Sequence, residues 1–81
     1  MMHSEQIKKI IRAGLACEHL DIEGDGEHFE ALIVSAEFTG KTRVRRQQLV
    51  NALLREHFDS GKLHAFSMKT LTPEEWSAAR G

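Results

Sequence analysis

Lys62-Leu63-His64-Ala65-Phe66-Ser67-Met68-Lys69-Thr70-Leu71-Thr72-Pro73-Glu74-Glu75-Trp76 is the stretch that decides the fold. Alternation predicts a short strand, with Leu63, Ala65 and Ser67 on one side and His64, Phe66 and Met68 on the other. A histidine stands at its entrance. Thr72 is placed to cap a closing helix, and Pro73 suits the first helical position, where a missing N–H costs nothing. Glu75 completes a capping box three residues after Thr72, and Trp76 follows at once to anchor the helix. Nothing in this local logic explains why position 64 is a histidine.

The 81 residues suffice for one domain, spanning 1–81. A chain of this size buries roughly 60–65% of its unfolded surface, enough for one modest core under a small sheet. It leaves no room for a second domain or for the deep cleft of a typical free-standing enzyme. Eleven basic and twelve acidic residues give a net charge of -1, which argues against strong non-specific nucleic-acid binding while leaving room for a local basic patch. No apolar run approaches the ~20 residues of a membrane span, and the first residues lead directly into a helix. A soluble, cytoplasmic protein is the expectation. Cys17 is the one cysteine, so neither an internal disulfide nor a CxxC pair can form. Any metal must therefore rely on histidine, carboxylate or a partner's ligands. The five histidines show no HxxxH-type spacing, which makes a weak metal signal.

Outward from the opening stretch, Ser4 is placed to cap a first helix striped by Ile7, Ile10, Ile11 and Leu15 and ending near residues 14–16. Cys17 lies in its exit, with nothing basic enough nearby to activate a thiolate. Residues 19–23 read as a strand and Gly24-Asp25-Gly26 as a hairpin loop. A second strand over 28–36 is apolar on both faces in its later half, as a central strand should be. After a break at 38–42, residues 44–58 form a helix with Leu49, Val50, Leu53, Leu54 and Phe58 on its apolar face. The order α-β-β-α-β-α predicts an α+β domain with a three-stranded mixed sheet: an antiparallel hairpin, then a right-handed crossover to a third strand parallel to the second.

Arg43, Arg45 and Arg46 load the start of that helix with positive charge, which the helix dipole disfavours. A local rule broken without compensation points to an anionic partner, with Lys41 in the same patch. A solvated arginine face is an equal reading of the same residues.

Gly24-Asp25-Gly26-Glu27-His28-Phe29, residues 33–41 (Ile-Val-Ser-Ala-Glu-Phe-Thr-Gly-Lys), Arg46 with Leu49-Val50-Asn51, and His64-Ala65-Phe66 through Trp76 together resemble the BolA family. The resemblance covers nearly the whole chain. The short Gly-Asp-Gly loop and Gln47-Gln48 are similar to one bacterial branch, whereas many relatives carry Arg-His-Arg from the position of Arg46. The resemblance implies a fold related to the class II KH fold. It also implies a monothiol, CGFS-type glutaredoxin as partner, in a heterodimer bridged by a [2Fe–2S] cluster. Such a cluster takes four ligands. The glutaredoxin brings one cysteine and its bound glutathione another, which leaves two to this chain. His64 matches the family's C-terminal ligand histidine, although taken alone it reads as a strand-edge histidine beside Phe66. The second ligand usually comes from the first hairpin loop, where the soft candidate is His28. A histidine before Phe also occurs in relatives with a separate loop ligand, so His28 reads as ligand or as structure, with Cys17 a remote alternative.

Lys41, Arg43, Arg45 and Arg46 lie in a region that the family uses toward glutaredoxin and for which DNA contact is also proposed. Residues 40–43 lack the second glycine of a KH Gly-x-x-Gly clamp. A nucleic-acid-binding regulator is therefore the rival to the iron–sulfur adaptor. A free-standing enzyme has no nucleophile–base constellation to support it.

Overall fold

The computed structural model describes residues 2–81; Met1 lies outside them. The central element is strand β2 (His28–Val34), hydrogen-bonded along both edges. Strand β1 (His19–Gly24) pairs with it antiparallel, from His19 opposite Val34 to Gly24 opposite Phe29. Strand β3 (Ala65–Leu71) pairs with its other edge in parallel, from His28 opposite Ala65 to Val34 opposite Leu71. A parallel neighbour needs a long crossover. Helix α2 (Arg43–Asp59) supplies it, and helix α1 (Ser4–Gly14) packs beside α2.

Alternation divides the sheet into two unlike faces. Leu20, Ile22, Phe29 and Ile33 point toward Ile7 and Ile11 of α1 and toward Val50 and Leu54 of α2, in one buried cluster. Each such side chain contributes about 1.5–3 kcal/mol when fully buried. On the second face, His19 and Val34 are opposite one another and Val34 is opposite Leu71. Val34 is fully buried yet lies outside the cluster beneath α1 and α2. The closing helix α3 (Pro73–Arg80) lies on this face, where its Trp76 stacks on His19.

The expected order, the mixed sheet and the central place of β2 all appear. Four local details differ. Position 3 is the N-cap of α1, where the side chain of Gln6 accepts the backbone N–H of His3, so Ser4 is already helical. Strand β2 stops at Val34 because Ser35 turns the chain into a short 3-10 segment (Ala36–Phe38). The Ser35 hydroxyl accepts from Glu37 N and donates to the Ala16 carbonyl at 2.6 Å. Helix α2 begins at Arg43, one residue early, behind a Thr42 cap. Finally, the alternation of β3 begins only at Ala65. Leu63 is buried in the same core that Phe66 and Met68 pack against, so the two sides drawn back through residue 63 do not hold.

Two glycines shape the hairpin. Gly26 has φ +99°, which the three-residue loop requires. At Gly24 a Cβ would run into the carbonyl of His28 and the ring of Phe29. Replacing Gly24 with Ala should therefore cost about 1–3 kcal/mol, seen as a lower urea midpoint at an unchanged m-value. A wild-type midpoint would mean that the hairpin absorbs the methyl group without strain.

Candidate functional site

The sheet register brings the entrances of β2 and β3 side by side. The backbone of His28 is opposite Ala65, the residue after His64. His64 is held on either side by its neighbours: Leu63 N donates to the His57 carbonyl at 3.0 Å, and Ala65 N donates to the Glu27 carbonyl at 3.2 Å. Leu63 is itself buried, so the backbone is pinned while the imidazole of His64 stays exposed. His28 is also exposed. Its backbone is set by Asp25, whose carboxylate accepts the N–H groups of His28 and Glu27, each at 2.9 Å.

The two imidazoles start on different sides of the sheet. His64 lines a hollow of about 410 Å³ with Asn51, Arg55, Phe58, Asp59 and Phe66, on the α2 side. His28 lines one of about 500 Å³ on the far side, with Glu23, Asp25 and Glu30 among its neighbours. Neither ring has a hydrogen-bond partner among the described residues, in contrast to His19, whose Nε2 lies 2.9 Å from Asp21. No group of three or more His, Cys, Asp or Glu able to hold a metal ion occurs among the described residues.

Cys17 is remote from both histidines. It precedes β1 at the end where His19 meets Val34, whereas His64 precedes β3 at the opposite end. Six residues of strand separate those ends by roughly 20 Å, so Cys17 cannot join a cluster held at His64. Its half-buried Sγ contacts the Leu15 carbonyl at 3.5 Å. Burial pushes the thiol's pKa up, Arg12 opposes that shift and Glu37 adds to it. Cys17 is thus a protonated spectator at neutral pH.

The basic residues do not form one patch. Arg46 is largely buried, its side chain 12% exposed. Its guanidinium donates to the Lys41 carbonyl at 3.0 Å, the Thr70 carbonyl at 3.1 Å and Glu75 Oε1 at 2.7 Å. It also lies over the ring of Phe38, 5.9 Å from the centroid. The positive charge at the α2 start therefore is compensated at this position, contrary to the expectation above. Lys41 folds back too, its Nζ donating to the Glu37 carbonyl at 2.8 Å. The guanidinium groups of Arg43 and Arg45 have no hydrogen-bond partner among the described residues, and they face different ways. Arg43 lines a hollow of about 430 Å³ with Arg46, Lys69 and Glu75. Arg45 lines another of about 570 Å³ with Lys41 and Gln48. Lys69 was not singled out from the sequence, although alternation along β3 could have placed it there.

Two carboxyls on these surfaces are held below their ordinary pKa. Hydrogen bonding from Arg46, then from Thr72 N, holds Glu75 below the usual glutamate range. The N–H groups of His28 and Glu27 do the same for Asp25. A lowered folded-state pKa contributes stability above the unfolded pKa of about 4 and loses it as pH falls through the folded value. The Asp25→Asn/Glu75→Gln variant should therefore show a flatter loss of stability below about pH 4 than wild type, checked by urea midpoints across that range. An equally steep loss would place the acid sensitivity elsewhere. Arg46→Ala, which strips two backbone carbonyls of their donor, should cost about 1–3 kcal/mol at neutral pH. The same measurement reads it.

The chain matches the family model described as BolA-like protein over residues 3–75. It is 34% identical over 79 residues to acid stress protein IbaG of Escherichia coli K12, covering 98% of this chain and 94% of that one. That relative fits the bacterial branch to which the short loop and Gln47-Gln48 are similar. The DNA-binding transcriptional regulator BolA of Haemophilus influenzae is 38% identical over 60 residues, covering 74% of this chain and 57% of the relative. The crystal structure of a bol-like protein from Babesia bovis superposes with a TM-score of 0.87 at 34% identity, over 100% of this chain and 96% of that one. The relatives are named for stress and regulation, not for catalysis. No helix among the described residues is long and apolar enough to cross a membrane. The family model spans nearly the whole chain, from the first helix to the start of the capped closing helix, and this chain belongs to the BolA-like protein family.

Proposed function

We propose that this protein is an iron–sulfur adaptor that shares a [2Fe–2S] cluster with a monothiol glutaredoxin and its bound glutathione, in cluster trafficking or iron and stress regulation. The observation that carries the reading is His64: a backbone pinned on both sides behind an exposed imidazole free of internal partners. His28 stands at the neighbouring strand entrance, and an exposed ring there can change rotamer rapidly. Two histidines are half of the four ligands that such a cluster takes, so the remaining two have to come from outside the chain. A neutral imidazole in place of a thiolate leaves the cluster less negative and raises its potential, as in Rieske centres. The cluster is cargo held between two proteins, and two ligands alone should retain it poorly.

The test is co-expression with a monothiol glutaredoxin, purification without oxygen, and visible circular dichroism of the complex. His64→Ala should abolish the wild-type spectrum while far-ultraviolet dichroism shows an intact fold. His28→Ala should abolish it as well if His28 is the second ligand. An unchanged spectrum in His64→Ala would remove His64 from the site.

A second reading, a nucleic-acid-binding regulator, draws on the guanidinium groups of Arg43 and Arg45, unpaired among the described residues, and on the relative named as a DNA-binding regulator. In this reading Lys41 and Arg46 act less directly, since both are engaged with backbone carbonyls. Binding through phosphates should weaken with salt at a log–log slope of about -0.9 per contact on duplex DNA. Fluorescence anisotropy should then show Arg43→Ala/Arg45→Ala losing about two units of slope. A flat salt response in the wild type would count against direct DNA contact.

A further inference from the structure

Helix α3 is held unlike the rest of the fold. It spans eight residues, Pro73–Arg80, and none of them is buried. A helix of that length is not stable in isolation, so it stays in place through a few tethers. Its capping box is local: Thr72 Oγ1 accepts from Glu75 N, and Glu75 Oε1 accepts from Thr72 N. Two tethers reach the body of the domain. One is Glu75 to Arg46. The other is Trp76, whose ring stacks on His19 with centroids 4.8 Å apart and planes 20° from parallel. His19 in turn contacts Asp21 Oδ2 at 2.9 Å.

The second tether contains an imidazole, a side chain able to take up or release a proton. With its proton, the His19 ring forms an ion pair with Asp21 and a cation over the Trp76 π-face. Without it, a neutral hydrogen bond and a plain aromatic stack remain, both weaker. The charged surroundings are few. On β1 there is Asp21, in direct contact. On α3 there is Arg80, whose guanidinium lies 5.3 Å from the Trp76 ring centroid. The same face of β3 carries Lys69, whereas β2 presents Leu32 and Val34 there, and α1 and α2 lie across the sheet. Arg80 and Lys69 are both exposed to solvent and screened by salt, whereas Asp21 touches the His19 ring.

We propose that His19 is a protonation-sensitive latch: held by Asp21 and stacked on Trp76, its imidazolium fastens α3 over the second face of the sheet, and loss of the proton loosens that helix. Loosening uncovers apolar surface at Val34 and Leu71, so the latch controls whether this face is available. It lies at the far end of the sheet from His64 and does not depend on cluster binding.

The test is amide hydrogen exchange on the full chain at about pH 5.5 and about pH 8, the range over which the histidine side chain type serves as a proton switch. Protection factors corrected for intrinsic rates would be read for α3, with α1 and α2 as internal references. In wild type, α3 protection should fall roughly 3- to 10-fold from the lower to the higher pH relative to those references. His19→Phe keeps a stacking ring but cannot titrate, and should remove the difference. Asp21→Asn should shrink it. His19→Gln, which loses the ring as well, should give low α3 protection at both pH values, and serves if the Phe variant does not fold. Equal α3 protection at the two pH values in wild type, or a difference that survives in either His19 variant, would overturn the latch.

Discussion

The parallel pairing of β3 onto β2 is the constraint from which the rest of the molecule follows. Because the strands run the same way, the chain must cross from the Val34 end of the sheet back to the His28 end, and α2 makes that crossing. The start of α2, with its arginines, therefore sits near the exit of β3, and its end sits near the entrance. Phe58 and Asp59, at the end of α2, share a hollow with His64, while Arg43 and Arg46, at its start, share one with Lys69 and Glu75. One topological choice thus places His28 and His64 at one end of the sheet and Arg43 and Arg46 at the other, roughly 20 Å away. A single partner touching both has to span much of that distance.

At the basic end, Arg46 resolves what would otherwise be a conflict between charge and helix dipole. Its planar guanidinium directs several donors at once, here toward a loop carbonyl, a strand carbonyl and a carboxylate on α3. A lysine could offer charge but not this fork, and it would lose the contact over Phe38. Glu75 serves twice in the same arrangement, as the capping-box acid for α3 and as the counter-ion of Arg46. The closing helix is thereby coupled to the crossover helix through one side chain.

What was legible in the sequence is what short-range chemistry determines. The capping box at Thr72 to Glu75, the loop at 24–26, the stripe of α1 and the two-sided apolarity of β2 each depend on residues a few positions apart. The unread features depend on pairs that only the folded register brings together. Arg46 and Glu75 are 29 residues apart, and nothing local to the α2 start announces a counter-charge. Trp76 was read as an anchor without its partner, since His19 lies on the first strand. Leu63 was assigned to the wrong side because the alternation rule was run back into a segment that is not yet strand. The candidate site shows the same division: both histidines could be named from the chain, but their rings' placement on opposite sides of the sheet depends on a parallel register that no local pattern specifies.

The hydrogen bonding of the histidines separates those committed to the fold from those available to something else. His19 has a carboxylate on one side and an indole stacked on its ring, one of the contacts that tie α3 to the sheet. For His28 and His64 the backbone is tied and the ring is not. A histidine that ligates metal ordinarily donates its second ring N–H to a carboxylate, carbonyl or water, which fixes its orientation. No such protein partner is in place for either ring among the described residues. In the hollow of His64, however, Asp59 and Asn51 lie on the same wall of α2. A small domain with one core face has little interior in which to bury a ligand set. It can instead hold a backbone rigid at the edge and leave the imidazole to be oriented when a second protein closes over it.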